Sequence, residues 1–170
     1  MLARLELNYI HGIDMTDADT NRTILSLLDE LPLECDGLSK VASLLLTNEN
    51  IPHNLNVGSV EIDEVGSIAY HCWISFDDGR ILDLRARMWL GKSEEIPHGI
   101  FRPQQSHHYH ANGYILAKDI NPILLPILTG LNLEDFPRQF SELINPDLAT
   151  NANTNKTVTR KPRDKNRPGY

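Results

Sequence analysis

The sequence predicts an α+β fold in which helices pack on an antiparallel β-sheet. In the N-terminal third, apolar residues recur at helical spacing, and from about residue 54 the pattern changes to three consecutive strand-like runs separated by turn signals. The tight "DDG" at 77–79 joins two of those runs directly, which makes the pair a hairpin rather than a parallel crossover.

The opening "ARLELNYI" alternates apolar and polar residues and reads as a strand. In "DMTDADTNRTILSLLDELP", Asp19 and Thr20 are cap candidates, Ile24, Leu25, Leu27 and Leu28 supply an apolar face, and Pro32 is the stop of a short first helix. A second helix follows Cys35, with Leu38, Val41, Ala42 and Leu45 at helical spacing; Leu44 and Leu46 widen the stripe until Asn48, Asn50 and Pro52 end it. The stretches "NLNVGSVEI", "IAYHCWISF" and "RILDLRARMWL" read as three successive antiparallel strands. "GKSEEIPHGIFRPQQSHHYHANGY" is expected to be a long loop that walls a cleft, because such connections in a compact domain usually bind or cover something. "DINPILLPILTGL" suggests a short helix with Pro122 near its start, and "NLEDFPRQFSELI" a closing amphipathic helix. Residues 1–146 form the expected domain and 147–170 a basic, disordered tail.

Charge is unevenly placed. The chain carries a formal −7, yet residues 151–170 hold six Lys or Arg against Asp164 alone, a local +5 that leaves −12 on residues 1–150. An acidic body disfavours broad contact with a phosphate backbone, so nucleic acid is expected to meet only the tail. With 41% hydrophobic and 23% charged residues and no apolar run of membrane-spanning length, the expectation is a soluble cytoplasmic protein, not a membrane one. Cys35 and Cys72 are then read as free thiols.

Strand alternation puts His71, Trp73 and Ser75 on one face of their run and Tyr70, Cys72, Ile74 and Phe76 on the other. His71 and Cys72 point apart, and Cys72 reads as a small apolar filler. A hairpin turning at Asp77, Asp78 and Gly79 brings Asp83 opposite His71 or one diagonal step away. An aspartate interrupting "ILDLR" needs a partner, and His71, Arg85 and Arg87 compete for it. Cys35 stands at the head of its helix, where the dipole and unpaired N–H groups favour a thiolate and could also bind an oxyanion.

A helix-leading Cys35 followed by Ile51-Pro52 and a strand, then His71-x-Trp73, a turn with Gly79, and Asp83 form a pattern that resembles the transglutaminase-like superfamily of papain-like cysteine enzymes. The resemblance runs over about residues 33–87. It implies a papain-like core, with Cys35 as nucleophile, His71 as general base and acid, and Asp83 orienting the imidazole. It also implies no metal and no organic cofactor. Leu33, two before the cysteine, and "DLRA" after the aspartate depart from the family pattern, and the position of the family's second oxyanion donor is taken by Asp29; Tyr9, Asn21 or a loop group are the substitutes.

The expected reaction is attack on an amide of a protein, peptide or small molecule, ending in hydrolysis or acyl transfer. Trp73, Gln104, Gln105 and His107 are candidate substrate contacts. The rival expectation is an inactive binding or regulatory protein on the same fold. His108 and His110 would share a face if extended, but "HHYH" lacks neighbouring carboxylates and reads as a polar loop rather than a metal site. His11, His53 and His98 read as surface or turn residues.

Overall fold

The computed structural model of the chain describes residues 24–136, 138 and 140–144. The expected first strand, Tyr9, His11, Asp19, Thr20, Asn21 and the basic tail lie outside the described residues. Two helices come first, α1 (Ile24–Glu30) and α2 (Cys35–Asn48), followed by the strands β1 (Asn54–Ile62), β2 (Gly66–Ser75) and β3 (Ile81–Asp83). A short helix α3 (Ala86–Leu90) precedes β4 (Gly99–Phe101) and β5 (His107–Ile115); α4 (Leu124–Thr129) and α5 (Phe140–Ile144) close the described chain. The strands make one antiparallel sheet in the order β4-β3-β2-β1-β5. No described helix is long and apolar enough to cross a membrane.

The stripe expected on α2 is the one it buries: Leu38, Val41, Ala42, Leu45 and Leu46 pack with Ile24 and Leu28 of α1 and with Leu55, Cys72, Ile74, Phe76 and Leu82 of the sheet. Each such Leu or Ile contributes about 1.5–3 kcal/mol through removal from water. The opposite face of the sheet builds a second core from Val60, Ile62, Ile68, Trp73, Ile81 and Ile96. Residues 72 and 73 therefore look into different cores, as strand alternation requires.

The sheet is strongly curled. β4 and β5 are its two edges, and in a flat sheet four spacings of about 4.8 Å would part them by roughly 19 Å. Instead the rings of Phe101 on β4 and Tyr109 on β5 lie 6.1 Å apart. Register shifts on both sides of β1, at Val57/Gly58 and Gly58/Val60, supply the bend. At Gly58 the β5 backbone comes so close that a Cβ would collide with the carbonyl oxygen of His110.

Three expectations need correction. The run 80–90 is not one strand: β3 stops at Asp83 because its carboxylate accepts the N–H groups of Arg85 and Ala86, at 2.8 and 3.0 Å, which turns the chain into α3. The segment 91–114 is not a loop, since it contains β4 and most of β5. β5 is an edge strand held to β1 by main-chain pairing with mostly exposed side chains, so it carries no hydrophobic alternation. Residues 132–144 are not one helix. A capping box between Asn132 and Asp135 closes a 3₁₀ turn, after which Phe136 is extended (φ −94°, ψ 136°), as a residue before proline prefers, and α5 starts afresh at Phe140.

Candidate active site

The site forms where the start of α2 meets β2 and β3. Cys35 is the first residue of α2, following an extended Glu34 whose side chain does not cap the helix, so the first-turn N–H groups keep their donor capacity. Its position is held from below by Ser39, one turn on, whose hydroxyl donates to the Cys72 carbonyl at 3.1 Å. It is held from behind by Arg85. That buried guanidinium donates to the carbonyls of Leu33, Leu28, Asp29, Leu31 and Leu84 and to the Asp29 carboxylate, fastening the α1–α2 connection to the end of β3.

His71 is fully buried in β2, and its Nε2 meets Asp83 Oδ2 at 2.8 Å. The β2–β3 register pairs Ile74 with Leu82 and Ser75 with Ile81, which sets Asp83 one diagonal step from His71. Neither arginine takes the carboxylate: the Arg85 side chain is committed to the α1–α2 connection, and Arg87 donates to the Ile96 carbonyl at 2.8 Å. All four acceptor positions of Asp83 are used, because Oδ1 takes the two amides that start α3 and Oδ2 takes His71 and the Tyr109 hydroxyl, the latter at 2.9 Å. Trp73 lies against His71 with rings 6.2 Å apart and nearly parallel, and Tyr109 meets Trp73 edge-on at 5.2 Å.

With Nε2 engaged, Nδ1 is the ring nitrogen left to exchange a proton, and it is buried without a hydrogen-bond partner among the described residues. Burial pushes the imidazole's pKa down, but the hydrogen bond with Asp83 and then the neighbouring Cys35 sulfur, with the charges of both, outweigh it and raise the value to about 9. Burial likewise pushes Asp83 up, and His71, the Arg85 amide and Tyr109 hold its carboxyl below the ordinary range. The Cys35 thiol is lowered to about 4, first by a hydrogen bond from Cys72's thiol, then, against the cost of burial, by the ring of His71 and the Cys72 backbone. Both shifts favour the thiolate and the imidazolium over the neutral thiol and imidazole at neutral pH.

Cys72, expected to be filler, is buried and free, yet its thiol supports the Cys35 anion and is itself pushed far up in pKa by that anion. Cys35 is only 5% exposed, but it opens on a cavity of about 440 Å³ whose walls include Glu34, Asp36, Tyr70 and Trp89. Of the residues singled out as substrate contacts, Trp73 is buried behind His71, while Gln104 and His107 close the β4–β5 turn, where the Gln104 amide donates to His107 Nδ1 at 3.3 Å. None of these three, nor Gln105, lines the cavity at Cys35. His108 and His110 do stack on an extended strand, and His108 meets Asp63 at 2.9 Å. Asp29 pairs with Arg85 and His98.

Tyr109 and the walls Tyr70 and Trp89 escaped sequence reasoning, which saw Arg85 only as a competitor for Asp83 and not as the clasp of the α1–α2 connection. For Tyr109 there was a signal, since it is the one aromatic amid the polar residues of "QQSHHYHANG" and so the one candidate there for an inward position. Comparison with protein-family models, curated proteins and solved structures finds no match to this chain.

Proposed function

We propose that the chain is a thiol enzyme acting on amide bonds, a hydrolase or acyltransferase in which Cys35 attacks, His71 carries the proton and Asp83 orients the ring. The observation that carries this reading is the buried Asp83–His71 hydrogen bond of 2.8 Å beside a helix-leading thiol lowered to about 4 that opens on a cavity. The resemblance of residues 33–87 to the transglutaminase-like superfamily supports it. A curled antiparallel sheet facing a Cys-led helix is what a papain-like core would require.

In this mechanism the Cys35 thiolate adds to the substrate carbonyl, and the first-turn N–H groups of α2 donate to the oxyanion. His71 Nδ1 gives its proton to the leaving amine as the tetrahedral adduct collapses to a thioester. The neutral ring then takes a proton from water, giving hydrolysis, or from an acceptor amine, giving acyl transfer. Asp83 stays ionised throughout and stabilises the imidazolium from behind. Two free thiols suit a reducing compartment.

The test is selective alkylation. At mildly acidic pH iodoacetamide should label Cys35 and spare Cys72, and His71→Ala should abolish that selectivity. p-Nitrophenyl acetate should release a burst of nitrophenol equal to the enzyme, leaving an acetyl group on Cys35. Equal labelling of the two thiols, with no burst, would favour a binding protein instead.

A further inference from the structure

The walls of the cleft point to a substrate class. We propose that the cavity at Cys35 selects amide substrates bearing a positive charge next to the reacting carbonyl; this rests on the thiol-enzyme reading and adds its specificity. Tyr70 and Trp89 stand on the wall 61% and 55% exposed, aromatic faces left in water beside a buried nucleophile. Such faces attract cations through their quadrupoles. Among the described residues the carboxylates in the wall are Glu34 and Asp36, and no Lys, Arg or His lines it. Asp36 is accounted for by the dipole of α2 and by Lys40 at 3.2 Å. Glu34 has no such explanation: it is exposed, caps nothing and makes no ion pair among the described residues.

The sign belongs to this side of the site. On the other flank of Glu34 a cavity of about 740 Å³ carries Arg87, Lys92 and His98. The full chain's net charge of −7 has the same sign as Glu34 and favours the approach of cations over anions at long range. The thiolate–imidazolium pair is neutral as a unit, so it does not cancel that preference.

The experiment uses the full chain and three methanethiosulfonates: trimethylammonioethyl (cationic), sulfonatoethyl (anionic) and methyl (neutral). In each case the Cys35 thiolate forms a disulfide with the reagent's thioalkyl sulfur and methanesulfinate leaves with the bonding pair. Rates at Cys35, located by mass spectrometry, are divided by those of free mercaptoethanol to remove intrinsic reactivity. The normalised cation-to-anion ratio should be about tenfold, the low end of what one-signed clefts produce. Glu34→Lys should drive it below one, and Trp89→Ala should reduce it with Glu34 in place. A wild-type ratio near one, with the neutral reagent modifying Cys35 selectively, overturns the specificity and leaves the thiol enzyme standing. Failure of the neutral reagent to prefer Cys35 over Cys72 overturns both.

Discussion

Asp83 has two oxygens, and each accepts two hydrogen bonds from groups in β2, β5 and the start of α3. A carboxylate so enclosed can neither rotate nor be replaced by water, and that rigidity is what aims the His71 ring. Asp83→Asn keeps the shape but presents an amide whose N–H₂ cannot accept, so the imidazolium loses its support. We expect turnover to fall about 10²–10⁴-fold in steady-state kinetics. Tyr109→Phe is milder. Losing the hydroxyl at 2.9 Å concentrates the carboxylate's charge on His71, so the limb of the rate profile set by His71 near 9 should move upward. For the unmodified protein, kcat/KM should form a bell that rises near 4 with Cys35 ionisation and falls near 9 with loss of the His71 proton.

Elements place these residues, and some were far more legible than others. α2, β1, β2 and the "DDG" hairpin were readable because each is decided locally: by an apolar stripe of period 3.6, by alternation of period 2, and by Gly79, whose φ of 83° suits glycine at the turn. His71 and Asp83 ride on the hairpin, so their meeting was legible too, as was the place of Cys35 at the head of α2. β4 and β5 were not, since pairing on edge strands is a main-chain matter and leaves little trace in side-chain pattern. The break after Asp83 was hidden for a different reason: it depends on one side chain bonding the amides of two later residues. Two substitutions test the element scale by urea denaturation. Gly58→Ala forces β1 and β5 apart and should cost about 1–3 kcal/mol, as overpacking does. Arg85→Lys keeps the charge but gives up the planar fork that reaches several carbonyls at once, and should cost about 2–3 kcal/mol while loosening the approach to Cys35.

At the scale of the whole molecule, the site joins two cores: α2 and Cys72 belong to one, Trp73 and the inside of the curled sheet to the other. Its ionisation is therefore part of folding. His71, raised from 6.5 to about 9, adds stability that is complete below 6.5 and disappears as pH rises through 9. Cys35, lowered from 9.0 to about 4, adds stability that is complete above 9 and is lost as pH falls through 4. The two oppose each other between 6.5 and 9, and below 6.5 the cysteine acts alone. Because His71 keeps its Asp83 partner in Cys35→Ala, its contribution is largely common to both proteins, and the difference in melting temperature between the wild type and Cys35→Ala should widen from pH 4 up to about 9, which calorimetry can follow. The first core also depends on the end of the described chain, where Phe140 is fully buried and Glu49 accepts the Phe140 and Ser141 amides. Phe140→Ala should cost about 3–5 kcal/mol.

By itself, the sequence determined the helix that presents Cys35, the hairpin that brings Asp83 to His71, and hence the chemistry to look for, because periodicity and turn residues act over a few neighbours. Only the tertiary structure decided which further groups serve that chemistry. Tyr109 reaches Asp83 because the sheet curls until its edges nearly meet, Cys72 faces the Cys35 sulfur because α2 lies across β2, and Trp89 walls the cleft because Asp83 turns the chain into α3. Each of these contacts joins residues distant in sequence or redirected by a single hydrogen-bonding side chain, and neither effect leaves a period to be read.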